Sequence, residues 1–206
     1  MQTRVYEPAT SLNGDLSQMV LQLHPVRAMS DDEFFEFATL NGDLRIERTA
    51  RGDIIIMTPT GGATGHRNIE IAAQLHLWAK RDGTGLAFDS STMFILPDTA
   101  VLSPDAAWLK KSRWEALTPE DREKFVPLCP DFVLKLRSPS DRLKNLQDKL
   151  EEYVANGAQL GWLIDPKARR VYVYRPGEPV EILDNPESVS GEPVLRGFGL
   201  DLSEVW

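Results

Sequence analysis

Apolar residues along this chain fall into short runs with two different periods, one close to helical and one alternating. Phe34, Phe35, Phe37 and Ala38 follow Ser30-Asp31-Asp32-Glu33. Ser30 can cap a helix and Glu33 can reach back to its amide, so a short helix is predicted up to Asn41-Gly42. Residues 44–49 alternate apolar and charged, Ala50-Arg51-Gly52-Asp53 has turn composition, and residues 54–57 are a second apolar run, which together predict a β-hairpin. Thr58-Pro59-Thr60-Gly61-Gly62-Ala63-Thr64-Gly65 leads into a helix predicted from about His66 to Arg81. Ile71, Leu75 and Trp78 form its apolar stripe, which turns His66, Glu70 and Gln74 onto a neighbouring face. The glycine-rich segment lacks the Gly-Lys-Ser/Thr ending of a P-loop and the ordered glycines of a dinucleotide fingerprint, so it reads as a structural loop.

The second half alternates more regularly. Residues 86–88 and 93–96 read as strands, and Pro104-Asp105 stands before a strand over residues 106–109. Thr118-Pro119-Glu120 has the composition of a helix start. Cys129-Pro130-Asp131 then precedes a strand over residues 132–136 whose faces separate, with Phe132, Leu134 and Leu136 on one side and Val133, Lys135 and Arg137 on the other. Ser140 or Asp141 can cap the next helix, whose stripe is Leu143, Leu146, Leu150 and Tyr153 or Val154, and Gly157 ends it. Lys149 stands at the margin of that stripe, where a lysine usually extends to solvent. Residues 160–164 and 171–174 form a hairpin across Asp165-Pro166-Lys167-Ala168-Arg169, and residues 176–206 read as a covering segment ending in Leu200, Leu202 and Trp206. Residues 1–29 have no sustained period and read as an irregular arm. The expectation is one α/β or α+β domain over residues 30–206, with a mixed central sheet flanked by helices.

At 206 residues and 42% hydrophobic content, one sizeable core is the default. No run is long enough to span a membrane, and the start lacks the basic and apolar regions of a signal peptide, so a soluble, cytoplasmic protein is expected. Cys129 is the single cysteine, and His24, His66 and His76 lack metal-ligand spacing, which argues against a disulfide and a zinc site. The net charge of −8 is unevenly spread. Residues 101–175 carry 14 Lys and Arg against 11 Asp and Glu, whereas both flanks are acidic, so an acidic total does not exclude a nucleic-acid partner.

Candidate chemistry gathers in that basic block. Asp105 opens a buried run and needs a partner there: water, a cation or a cap. Ser103-Pro104-Asp105-Ala106-Ala107-Trp108, Cys129-Pro130-Asp131-Phe132-Val133, Leu136-Arg137-Ser138-Pro139-Ser140-Asp141 and Gly161-Trp162-Leu163-Ile164-Asp165-Pro166 closely resemble the Uma-type restriction endonuclease family, abundant in cyanobacteria. Arg45-Ile46-Glu47-Arg48, Pro59-Thr60-Gly61-Gly62 and Lys149-Leu150-Glu151-Glu152-Tyr153 extend the resemblance over residues 30–206.

The resemblance implies a restriction-endonuclease-like core of the PD-(D/E)XK superfamily. It implies an aspartate at Asp105 as metal ligand, a glutamate where Lys135 stands, and a catalytic lysine at Lys149 on the following helix. Carboxylates in such a site hold Mg²⁺, which activates water and neutralises phosphate charge, while a lysine orients the attacking species. Here the second acid is replaced by a cation, a change of two charge units that opposes a divalent ion within contact distance. Two expectations follow. One is a Mg²⁺-dependent DNA endonuclease using Asp105, a replacement carboxylate such as Glu70, and Lys149. The other is a catalytically inactive nuclease-fold protein that keeps nucleic-acid binding or an oligomeric role, such as a homodimer. Either way Asp105, Lys135 and Lys149 should converge on one pocket, with Arg137, Arg142 and Lys144 as phosphate contacts.

Overall fold

The computed structural model describes residues 18–23 and 28–206. Strand β1 (Gln18–Leu21) falls inside the stretch expected to be irregular, and it pairs antiparallel with β3 (Ile54–Met57). Its side chains give no alternation because Met19, Val20 and Leu21 all remain exposed, and a ladder of backbone hydrogen bonds needs no side-chain period. The rest of the expected arm, residues 1–17 and 24–27, lies outside the described residues. Helix α1 (Asp31–Leu40) begins with the predicted reciprocal cap: Glu33 N–H donates to Ser30 Oγ (3.2 Å) and Ser30 N–H donates to Glu33 Oε2 (2.9 Å). Strand β2 (Arg45–Arg48) forms the predicted hairpin with β3, and Gly52, at φ 87°, takes the left-handed position in its turn.

Helix α2 (Gly62–Asp82) starts earlier than predicted, because Gly62 to Gly65 form its first turn rather than a loop. The first N–H groups of a helix have no intrahelical partner in any case, so glycine weakens that turn less than it would the interior. Then come β4 (Gly85–Asp89), β5 (Phe94–Ile95), β6 (Val101–Leu102), β7 (Ala106–Lys110), α3 (Lys111–Glu115) and α4 (Pro119–Glu123), with Thr118 as the N-cap of α4. Strand β8 (Phe132–Leu136) leads through α5 (Leu143–Ala155) to β9 (Leu160–Asp165), which forms the predicted hairpin with β10 (Arg170–Tyr174). Strands β11 (Glu181–Asp184), β12 (Ser188–Ser190) and β13 (Gly199–Asp201) complete the chain.

The central sheet has six strands in the order β11-β10-β9-β8-β7-β4, and the second sheet has five in the order β1-β3-β2-β6-β5. Only β8 and β9 run parallel, joined by α5 as a crossover, so the sheet is mixed as expected. Period-two alternation in β8 sorts its side chains as read from the sequence. Phe132, Leu134 and Leu136 join Trp108, Trp162, the inner face of α2 and the C-terminal Leu200 and Leu202, while Val133 packs under Leu146, Leu150 and Tyr153 of α5. Gly161 lets α5 approach closely, since a Cβ there would stand 2.7 Å from Leu150 Cδ1. The α5 cap differs from the expectation: Arg142 takes the N-cap position without capping the helix through its side chain, and Asp141 Oδ2 instead accepts from Ser138 N–H (2.7 Å). No helix among the described residues is long and apolar enough to cross a membrane.

Candidate active site

The two sheets meet at residues 103–105, where β6 hands over to β7, and the site is built on that junction. Asp105 N–H donates to Leu134 O (2.8 Å), which ties it to the neighbouring strand β8. Its Oδ2 accepts from Leu136 N–H (2.7 Å) and its Oδ1 faces Lys135 Nζ (3.1 Å). Alternation along β8 puts Lys135 on the α5 side of the sheet, and its ammonium also donates to Ser103 O (3.2 Å). Ser103 N–H turns the other way and donates to Glu47 Oε1 (3.0 Å). Glu47 Oε2 is paired with Lys149 of α5.

Two acids and two ammonium groups thus alternate around Ser103, all withdrawn from solvent: side-chain exposure is 8% for Lys135, 10% for Asp105, 14% for Lys149 and 1% for Glu47. Burial pushes the Glu47 carboxyl up, but the charges of Lys149 and Lys135, with hydrogen bonds from Lys149 and the Ser103 amide, outweigh it and hold the group below the usual carboxylate range. Glu152, three residues on from Lys149 along α5, is shifted the opposite way by partial burial and the nearby Asp98.

A cavity of about 350 Å³ opens over this network, between the Thr58 to Thr64 segment and the loop from Ser138 to Arg142. Asp105, Lys135 and Lys149 all line it, the convergence that the resemblance implied, and Arg45 and Arg142 add two more cations. Other expected members lie elsewhere. Glu70 is half-buried on α2 and does not line the cavity, so it is not placed as a stand-in carboxylate. Arg137 donates to buried Asp165 Oδ2 (2.6 Å) and to Asp141 O (3.2 Å), and exposed Lys144 pairs with Asp148 one turn on; neither lines the cavity. The second carboxylate of the buried network is Glu47, which does not itself line the cavity; the other carboxylate on the lining is Asp141, already bonded to Ser138 N–H. The alternating strand of Glu47 was read only as one half of a hairpin, and its burial depends on α5, about a hundred residues away. The one signal for it was its place in the Arg45-Ile46-Glu47-Arg48 segment of the resemblance.

The sequence matches the Uma2 family model, described as "Putative restriction endonuclease", over residues 31–203. The chain belongs to the Uma2 family. A crystal structure from Anabaena variabilis ATCC 29413, described as a putative nuclease belonging to DUF820, is similar to this Uma2 chain with a TM-score of 0.69 and 22% identity, covering 86% of this chain and 97% of that one. The likeness supports the restriction-endonuclease-like fold expected from the sequence. No protein of curated function matches.

Whether this Uma2 site suits the Mg²⁺ that the fold implies is decided by its oxygens. A divalent cation of this kind requires hard oxygen ligands with free lone pairs directed at it. Each Asp105 and Glu47 oxygen accepts one bond, and two of the donors are ammonium groups, Lys135 on Asp105 and Lys149 on Glu47, whose charge opposes a divalent cation at contact distance. Among the described residues no group of three His, Cys, Asp or Glu is arranged to hold a metal. The residues in this arrangement do not fit Mg²⁺.

Proposed function

We propose that this Uma2 protein binds nucleic acid through the nuclease fold and does not cleave it with Mg²⁺, because the Lys135 ammonium stands where the cation would. The observation that carries this reading is Lys135 Nζ at 3.1 Å from Asp105 Oδ1, buried with it. An ammonium there meets the electrostatic need of the carboxylate but supplies neither a Lewis acid nor a bound water. The cavity keeps Arg45, Arg142 and Lys149 to attract a phosphate.

The test compares wild type, Lys135→Glu, and Lys135→Glu with Asp105→Ala. Wild type should bind labelled DNA at low salt, weaken as salt rises, show no Mg²⁺-dependent cleavage, and melt at the same temperature with and without 10 mM Mg²⁺. Lys135→Glu should gain Mg²⁺-dependent cleavage and a melting temperature that rises with Mg²⁺; adding Asp105→Ala should remove both. Wild type cleaving as fast as Lys135→Glu would overturn the reading. One feature favours the second reading, a Mg²⁺-dependent DNA endonuclease: Glu47 gives the site a second carboxylate held through the same Ser103. On that reading Glu47→Gln abolishes a cleavage activity that wild type already has.

A further inference from the structure

A second cavity, of about 430 Å³, lies on the far side of Arg45. Arg45 and Met57 face each other across the β2–β3 ladder and line both cavities, so one pair of side chains forms the wall between them. The rest of the second cavity is largely apolar, lined by Leu44, Ile46, Met93 and Phe125. Besides Arg45, its polar lining is Thr39, Ser90, Ser91 and Ser103, and Ser90 O accepts from Arg45 Nη2 (2.9 Å) and from Ser103 Oγ (2.6 Å). Ser103 therefore serves both spaces: its backbone holds Lys135 and Glu47 on one side, and its hydroxyl closes the second cavity on the other. Among the described residues no carboxylate pairs with Arg45, which leaves its charge to act on whatever occupies the two cavities.

We infer that the second cavity holds an unpaired nucleobase of the strand whose phosphate sits in the first. This rests on the nucleic-acid reading above. The two cavities, one cationic and one apolar, are separated by one side-chain layer bearing a guanidinium. That arrangement suits a ligand with an anion at one end and, at the other, a flat body with stacking faces and a polar edge, which describes a nucleotide. A base within a duplex is stacked on both faces and paired along its edge, so it cannot enter; a single strand or an extruded nucleotide can. Leu44, which lines the cavity, is 46% exposed and so offers an apolar surface to a base.

The experiment uses fluorescence anisotropy of the full chain at low salt with three probes of equal length: a single-stranded DNA, the same strand with abasic sugars throughout, and a blunt duplex. The single strand should bind about tenfold more tightly than the abasic strand, the size expected for one well-held base. Ala38→Phe, which fills the cavity from α1, should remove that preference and leave abasic affinity unchanged. Ser91→Trp at the rim is a second blocking variant, and a thermal melt confirms that each is folded. Equal binding of all three probes, or a preference for the duplex, overturns the base site while leaving phosphate binding intact. A base preference that survives both blocking variants overturns its location. A dimer that Ala38→Phe converts to monomer would give the cavity to a second copy and overturn the proposal. No binding of any probe at low salt overturns the nucleic-acid reading itself.

Discussion

Lys149→Met tests whether the alternating charges hold the site together. Methionine keeps most of the apolar stem of Lys149 but removes the ammonium paired with Glu47 Oε2, leaving that carboxylate with the Ser103 N–H at 3.0 Å and a side-chain exposure of 1%. Breaking one side of a buried pair costs about 3–5 kcal/mol, and because Lys135 still lies close enough to lower the Glu47 carboxyl, the lower end applies. With a urea slope of about 2 kcal/mol/M, a loss of about 3 kcal/mol moves the unfolding midpoint down by about 1.5 M. The pH dependence gives a second, sharper readout. In wild type the Glu47 carboxyl is held below its ordinary value of 4.5, so its contribution is present above that value and is lost as pH falls through the folded one. In the variant the Lys149 charge and hydrogen bond are gone while burial remains, which moves the carboxyl upward from its wild-type position. A folded value above that of wild type makes the variant's folded state the better proton acceptor of the two, so the variant gains stability relative to wild type as pH falls. The gap between variant and wild type should therefore be widest near pH 7.5 and narrow toward pH 4.5. Urea unfolding at pH 7.5, 6 and 4.5 measures it. A constant gap, or a midpoint within 0.2 M of wild type at pH 7.5, would refute the buried-network account.

Two further substitutions probe neighbouring parts of the structure. Lys135→Met should destabilise by about 3 kcal/mol at pH 7, and adding Asp105→Asn should recover most of it, since the orphaned charge disappears while Leu136 N–H keeps an acceptor; a double variant no more stable than the single one would contradict the pairing. Gly85→Ala places a Cβ 2.4 Å from Trp108 Cζ2 and 2.5 Å from Leu109 O, and because one of these is backbone the loss should be about 3 kcal/mol with a changed near-ultraviolet tryptophan spectrum; an unaltered spectrum and midpoint would show that β4 and β7 yield easily.

Elements that bury one face were legible from their period. The α5 stripe, the β8 alternation and both hairpins rest on local patterns that the core rewards directly, and Leu146, Leu150, Phe132 and Leu134 are buried where those patterns place them. Features set by long-range pairing were not. Strand β1 joins the sheet through backbone groups, so exposed Met19, Val20 and Leu21 carry no trace of it. Arg137 counted toward a basic block, but its partner Asp165 is brought to it by the parallel pairing of β8 and β9. For Lys144 the signal was available: Asp148 stands four residues on along a helix, the spacing of an ion pair. Glu47 shows the deeper limit, because a charged residue in an alternating strand reads the same whether the covering layer is water or a helix from a hundred residues downstream.

Charge balance explains why a lysine can stand at position 135 without breaking the fold. Asp105 and Glu47 contribute two negative charges to the buried cluster, and Lys135 and Lys149 contribute two positive ones, so the cluster is neutral as it stands. A glutamate at 135 would make three acids against one ammonium, an excess of two negative charges in a space that water scarcely reaches. Such a cluster can persist only by taking up protons or by binding a cation, and a divalent ion restores neutrality in one step. An ammonium tethered at 135 and a free divalent cation are thus alternative solutions to the same electrostatic requirement, and a chain that has one has little use for the other. The tethered solution needs no ion from solution and cannot dissociate, which favours stability. On the proposed reading it also removes the Lewis acid that would activate water, so that the surrounding cations would hold a phosphate without promoting its cleavage. Lys135→Glu is therefore expected to lose stability without metal and recover it with metal, whereas Lys135→Met should lose stability that no concentration of Mg²⁺ restores.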